Sequence, residues 1–119
     1  MDIPKIFESE YRFCEILGEN EPVSSSELVR LCSELLEWKK STTYTVIRRL
    51  SQRGVLKSEN AVVTSLVSKE EVLTAESTQV VEKTFSGSLP GFIAAFTRNK
   101  QLTPKEIEEI HQIIDAYKE

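Results

Sequence analysis

Cysteine, glycine, proline and histidine are all scarce in this chain of 119 residues, which has two Cys, four Gly, four Pro and a single His. Cys14 and Cys32 stand among apolar residues with neither CxxC nor CxC spacing, so buried reduced thiols are the expected state, a disulfide or metal pair being the alternative. So little Gly and Pro beside 39% hydrophobic residues argues for an ordered, largely helical chain, one domain or two small ones. No run approaches the roughly 20 consecutive apolar residues of a membrane span. Met1-Asp2-Ile3-Pro4 also lacks the basic and apolar pattern of a signal peptide, and a cytoplasmic protein without membrane contact is expected. The lone His111 has no serine or cysteine constellation beside it, and no glycine loop shaped for phosphate is present. An enzyme is therefore not expected, nor a cofactor or metal site.

What the chain does have is an uneven distribution of charge. The total is −4, yet between Trp38 and Lys57 no acidic residue interrupts Lys39, Lys40, Arg48, Arg49, Arg53 and Lys57. Residues 69–119 carry six basic and nine acidic groups. One segment is thus suited to polyanions and another is not, and placement of charge decides partners more than its sum does.

Apolar spacing predicts a first helix over residues 6–18, with Ile6, Phe7, Phe13, Ile16 and Leu17 on one side and Gly18 as its stop. Residues 19–23 read as a turn. Ser24 and Glu27 have the form of a capping box for a second helix bearing Leu28, Leu31, Cys32, Leu35 and Leu36. Ser41 is the expected cap of a third helix, reaching about Arg53, with Thr43, Val46, Ile47 and Leu50 inward. Gly54 closes it, and Val55-Leu56 and Val62-Val63-Thr64 spell a small hairpin. Helix, turn, helix, hairpin is the order of a winged helix-turn-helix.

Downstream, Ser68 and Glu71 predict another capped helix to about Thr84, interrupted by Phe85-Ser86-Gly87-Ser88. A short helix, Leu89 to Phe96, and a last one opened by Thr103-Pro104-Lys105-Glu106 complete the chain. The expected fold is mainly α: a winged-helix DNA-binding domain, residues 1–68, and a C-terminal three-helix dimerisation region, residues 69–119. Stripes of Val80, Leu89, Phe92, Phe96, Ile107, Ile110 and Ile114 are too large for so short a tail to cover unaided, so they are the expected homodimer contacts. The alternative is a tail packed on its own N-terminal domain.

In a helix-turn-helix the second helix enters the major groove, its inner face packed and its outer face polar. With Thr43 and its apolar companions inward, Thr42, Tyr44, Thr45, Arg48 and Arg49 are left outward. Threonine methyls can touch thymine methyls, and arginine can read guanine or neutralise phosphate. Lys39, Lys40 and Ser41 flank the start of the helix, and Arg53 and Lys57 its end. All ten residues are candidate contacts to a double-stranded DNA operator. The competing reading is a winged-helix protein-interaction module that does not bind DNA.

The run Trp38 to Gly54 (WKKSTTYTVIRRLSQRG), the stretch Leu66 to Glu71, the turn Phe85 to Leu89 and the stretch Leu102 to Ile110 together resemble the penicillinase and methicillin-resistance repressor family, which also contains copper-transport repressors. The resemblance covers nearly the whole chain in order. It implies a homodimer with interlocking C-terminal helices that holds two winged helices on a palindromic operator and represses a β-lactam-resistance or related operon. It also implies release by a sensor-linked protease that cuts at an Asn-Phe bond; here the matching place reads Ala95-Phe96. Residues 57–65 form a shorter wing than the family's, without its basic, glycine-containing tip. No cysteine lies in the tail, which excludes copper sensing through a C-terminal cysteine cluster.

Overall fold

A computed structural model describes residues 3–118. Met1, Asp2 and Glu119, which belong to the signal-peptide reading and to the outer limits of the two expected domains, lie outside the described residues. The chain divides into two compact units, with the boundary between Gln79 and Val80.

The first unit opens with a single 3-10 turn, Glu8–Glu10, and continues as α1, Tyr11–Asn20. Ile6 and Phe7 therefore precede the helix rather than belong to it, and Gly18 lies inside it. Pro22 and the extended backbone of Glu21 provide the real stop, because proline pushes its predecessor out of helical geometry. The segment read as a turn contains a strand, β1, Val23–Ser24. Ser24 then caps α2, Ser25–Leu36, its Oγ accepting from the Glu27 N–H at 3.1 Å. Glu27 does not return the favour to the cap; its carboxylate accepts instead from Arg30, at 2.6 and 2.8 Å. α3, Lys40–Gln52, is followed by Gly54 at φ +81°, a left-handed position that glycine occupies without strain.

β2, Leu56–Glu59, and β3, Val62–Ser65, pair as a hairpin whose two turn residues, Asn60 and Ala61, both have positive φ. That geometry matches the twist of paired strands. β1 adds to the other edge of β3, in register Val23 to Val63, giving the antiparallel order β1-β3-β2. α1, α2, α3 and this sheet enclose the core: Phe13, Leu17, Leu28, Leu50, Leu56 and Val63 are all but sealed from solvent. Each such side chain contributes about 1.5–3 kcal/mol by leaving water. This is a mainly α winged helix, as the element order predicts.

α4, Lys69–Phe85, begins in a complete capping box in which Ser68 and Glu71 serve each other's N–H at 2.9 and 3.0 Å. Val72 and Ala75, in its first turns, pack on the core of the first unit. In the second unit Ser86 and Gly87 turn left-handed and end α4. α5, Leu89–Thr97, is capped by Ser88, and α6, Pro104–Tyr117, by the expected box of Thr103 and Glu106. No described residue of α5 or α6 is buried. Among the described residues no helix is long and apolar enough to cross a membrane.

Both cysteines are free and buried. Burial, helped by the nearby Glu10 carboxylate, pushes the Cys14 thiol up to about 12, and burial likewise raises Cys32. Neither thiol is a nucleophile at neutral pH. At pH 8 a thiol-specific reagent should label Cys32 only as fast as the protein unfolds, and rapid labelling of Cys32 in native protein would contradict this burial.

Glu10, 4% exposed, is the one buried carboxylate among the described residues. Its carboxylate accepts from Arg53 at the end of α3 and from the Phe7 N–H at 2.8 Å, while Arg53 also donates to the Lys5 carbonyl at 2.8 Å. The guanidinium lies 4.6 Å from the centre of the Phe7 ring. Arg53→Met should therefore destabilise the protein by about 2–3 kcal/mol in urea unfolding, because it strands a buried carboxylate. The change should be much smaller in a background of Glu10→Gln.

Candidate nucleic-acid interface

The interface starts with the turn between α2 and α3. Glu37 adopts left-handed geometry at the end of α2 (φ 58°), and the Trp38 N–H donates to the Cys32 carbonyl at 3.2 Å. The chain reverses there, and the Trp38 ring stacks on Phe13 of the core at 6.0 Å with the planes 7° apart. α3 then begins at Lys40 with Lys39 in the capping position and no side-chain cap. Ser41 is thus not the cap: it lies within the first turn. The first N–H groups of α3 are left without side-chain acceptors, and together with the helix dipole they make a ready anion site.

The rotation of α3 is set by its inner face. Thr43, Val46, Ile47 and Leu50 are buried against α2 and the sheet. The buried Thr43 hydroxyl lies beside the Cys32 thiol and acts on it as a hydrogen-bond donor. On the outer face Ser41, Thr42, Tyr44, Arg48 and Arg49 are exposed and Thr45 is half-buried. The side chains of Lys39, Lys40, Arg48 and Arg49 make no ion pair or hydrogen bond among the described residues. Four like charges without an intramolecular partner therefore share one end and one face of a helix.

The remaining two basic residues sit differently. Arg53 is turned inward to Glu10, its side chain 22% exposed, and braces the end of α3. Lys57 projects from β2 with its Nζ 4.0 Å from Glu59. The hairpin itself is held back: the Ala61 carbonyl at its tip accepts from the Ser25 N–H at 2.9 Å, tying the tip to the start of α2. Neither Asn60 nor Ala61 is charged. What the sequence reading missed was this internal use of Arg53, and the signal was present: Glu10 falls on the apolar side of the first helical segment, where an acid requires a partner.

The candidate dimer contacts belong to the second unit. Val80, Leu89, Phe96, Ile107 and Ile114 are exposed within one chain, Leu89 and Phe96 by 54% and 52%, while Phe92 and Ile110 are half-buried. Ile113 and Tyr117 are exposed too. Phe92 bridges Phe85 and Phe96, at 5.4 and 6.1 Å between ring centres. Ala95 and Phe96, the candidate cleavage pair, lie in the last turns of α5, and Lys100 stands 5.3 Å from the Phe96 ring.

Comparison with known proteins agrees with this architecture. The profile of the family described as "Penicillinase repressor" matches residues 6–116. The penicillinase repressor of Bacillus licheniformis is 23% identical, the alignment covering 98% of this chain and 94% of the relative. The penicillinase repressor of Staphylococcus aureus is 27% identical over 90% of this chain and 88% of the relative. The methicillin resistance regulatory protein MecI of Staphylococcus aureus is 23% identical over 93% and 94%.

Because Lys40 and Arg48 face solvent without partners, each is expected to contribute one released counterion on a polyanion. Alanine at either should reduce the slope of log affinity against log salt on duplex DNA by about 1 and weaken all sequences alike. An unchanged slope would remove that residue from the interface.

Proposed function

The chain belongs to the penicillinase repressor family, and from that membership and the charge on α3 we propose that it is a DNA-binding transcriptional repressor that holds a palindromic operator as a homodimer. The observation that carries the reading is the outer face of α3, where Lys39, Lys40, Arg48 and Arg49 stand unpaired beside Ser41, Thr42, Tyr44 and Thr45. A helix with an uncapped, lysine-flanked start can seat on a phosphate and aim its next two turns at base edges. Thr42, Thr45 and Arg49 are the proposed base readers, Lys39, Lys40 and Arg48 the phosphate contacts. Arg53 serves by holding the end of α3 in place. Since relatives are named for penicillinase and for methicillin resistance, the regulated genes are proposed to be a β-lactam-resistance or related operon. The family is one of repressors, not of enzymes.

The dimer is proposed to form through residues 69–119. Leaving Leu89, Phe96, Ile107, Ile113 and Ile114 in water is unfavourable by roughly 25 cal/mol per Å² of apolar surface, and a second copy would cover them. Dimerisation also serves binding: once one winged helix docks, the other is held near its own half-site at high effective concentration. Release is proposed to act through this tie, by a sensor-linked protease cutting at Ala95-Phe96. The bond lies within α5, so the last turns of that helix have to open before a protease can accept it as an extended strand.

Three measurements test the reading. Thr45→Ala and Arg49→Ala should each cost about 1–3 kcal/mol in operator affinity with little change for unrelated duplex. Full affinity in both would overturn the assignment of base readers. Full-length protein should sediment as a dimer at micromolar concentration and residues 1–79, which keep none of the named contacts from Val80 to Ile114, as a folded monomer; a dimeric fragment or a monomeric full chain would refute those contacts. Protein cut at an engineered protease site at residues 95–96 should lose both dimer and operator; a cut protein that keeps both would rule out this route of release.

A further inference from the structure

A cavity of about 370 Å³ opens in the first unit between α1, the end of β3 and the first two turns of α4. It lies within the size range of small-molecule sites, and DNA recognition by α3 makes no use of it. Its walls are mostly apolar, with Cys14, Val67, Val72 and Leu73 joined by the ring of Tyr11. Tyr11 is 7% exposed, yet its hydroxyl makes no hydrogen bond among the described residues. The ring is packed away while the hydroxyl keeps contact with solvent, which leaves it free to hydrogen-bond to a ligand in the cavity.

The charges around that space are predominantly negative. Glu15, Glu19, Glu21 and Glu76 line it against the single cation Lys69. Two of the four carboxylates are committed elsewhere: Glu21 accepts from the Ser65 N–H at 2.8 Å, and Glu15 lies 3.7 Å from Arg12. Glu19 and Glu76 have no ion pair or hydrogen bond among the described residues. The positive start of α4 is met already by Glu71, which accepts from the Ser68 N–H. Burial first, then Glu76, hold the Tyr11 hydroxyl above its ordinary range, so it stays protonated and able to donate or accept.

We propose that this cavity binds a small organic cation, a primary ammonium on an apolar body. The body lies against Val72, Leu73 and the Tyr11 ring, and the ammonium donates to the Tyr11 hydroxyl oxygen and to the Glu76 and Glu19 carboxylates. Glu19 and Glu76 are exposed at the rim, where they repel an anion and attract a cation, while a neutral ligand gains nothing from them. The aromatic face adds attraction for a cation that it does not offer to an anion. Since the lining comes from α1, β3 and α4, a bound ligand joins the three and raises the unfolding temperature by mass action.

The test uses full-length protein and three probes of one shape: phenethylammonium, phenethyl alcohol and 3-phenylpropionate, each titrated by calorimetry and followed by thermal unfolding. The cation should bind at least about tenfold tighter than the alcohol, as a charge-assisted hydrogen bond allows, and the carboxylate should not bind. Glu76→Gln should weaken the cation about tenfold and leave the alcohol unchanged. Tyr11→Phe, which keeps the ring, should also weaken the cation. No saturable binding of the cation at millimolar concentration, equal binding of all three probes, preference for the carboxylate, or binding indifferent to both variants would each overturn the proposal. Gel shifts of the same variants on duplex DNA should match the parent protein, so failure here is distinguishable from failure of α3 to read DNA.

Discussion

The rest of the structure depends on how α3 is wedged into the core. Its inner face, Thr43, Val46, Ile47 and Leu50, is shielded by α2 and the sheet, and that burial removes any freedom to rotate about the helix axis. A turn of about 100° per residue then dictates which side chains are left outside. They are the polar and basic ones. The helix is held at both ends as well, by Trp38 stacked on Phe13 before it and by Arg53 bonded to Glu10 after it. A rigid element presents its charges at fixed separations, and fixed separation is what reading a duplex requires.

The wing is restrained by the same economy of space. A two-residue turn makes the hairpin short, and the hydrogen bond from Ser25 to the Ala61 carbonyl folds its tip onto α2. With no charge at the tip and Glu59 close to Lys57, the hairpin offers little to a phosphate backbone. The proposed recognition of DNA therefore falls on α3 and the residues that open it. No acidic residue falls between Trp38 and Lys57, so no carboxylate interrupts that basic run along the chain.

The second unit follows a different logic. Its helices are well specified one by one, each opened by a hydroxyl cap, yet none of their described side chains in α5 and α6 is buried within a single chain. Local signals are enough to form a helix end and a turn, whereas a sealed core needs surface from elsewhere. Such a unit is stable in proportion to what covers it. That makes it a natural point of control, since loss of the covering surface need not disturb the separate core around Phe13, Leu28 and Leu50.

By itself the sequence determined much of what is written within about one helical turn: the capping residues Ser24, Ser68 and Thr103, the stop at Gly54, the break at Ser86 and Gly87, and the inward set of α3. Those features rest on backbone geometry and on hydrogen bonds spanning three or four residues, so neighbouring letters suffice to read them. Even so, local reading misplaced the start of α1, took Gly18 for a stop and Ser41 for a cap. Only tertiary structure decided that Val23 and Ser24 form a strand, because their partners on β3 are distant in the chain. It also decided that Arg53 turns inward, since Glu10 lies 43 residues away, and that Tyr11 borders a cavity closed by α4. Contacts of that length arise from the mutual fit of surfaces, and no periodicity within one segment encodes the surface it will meet.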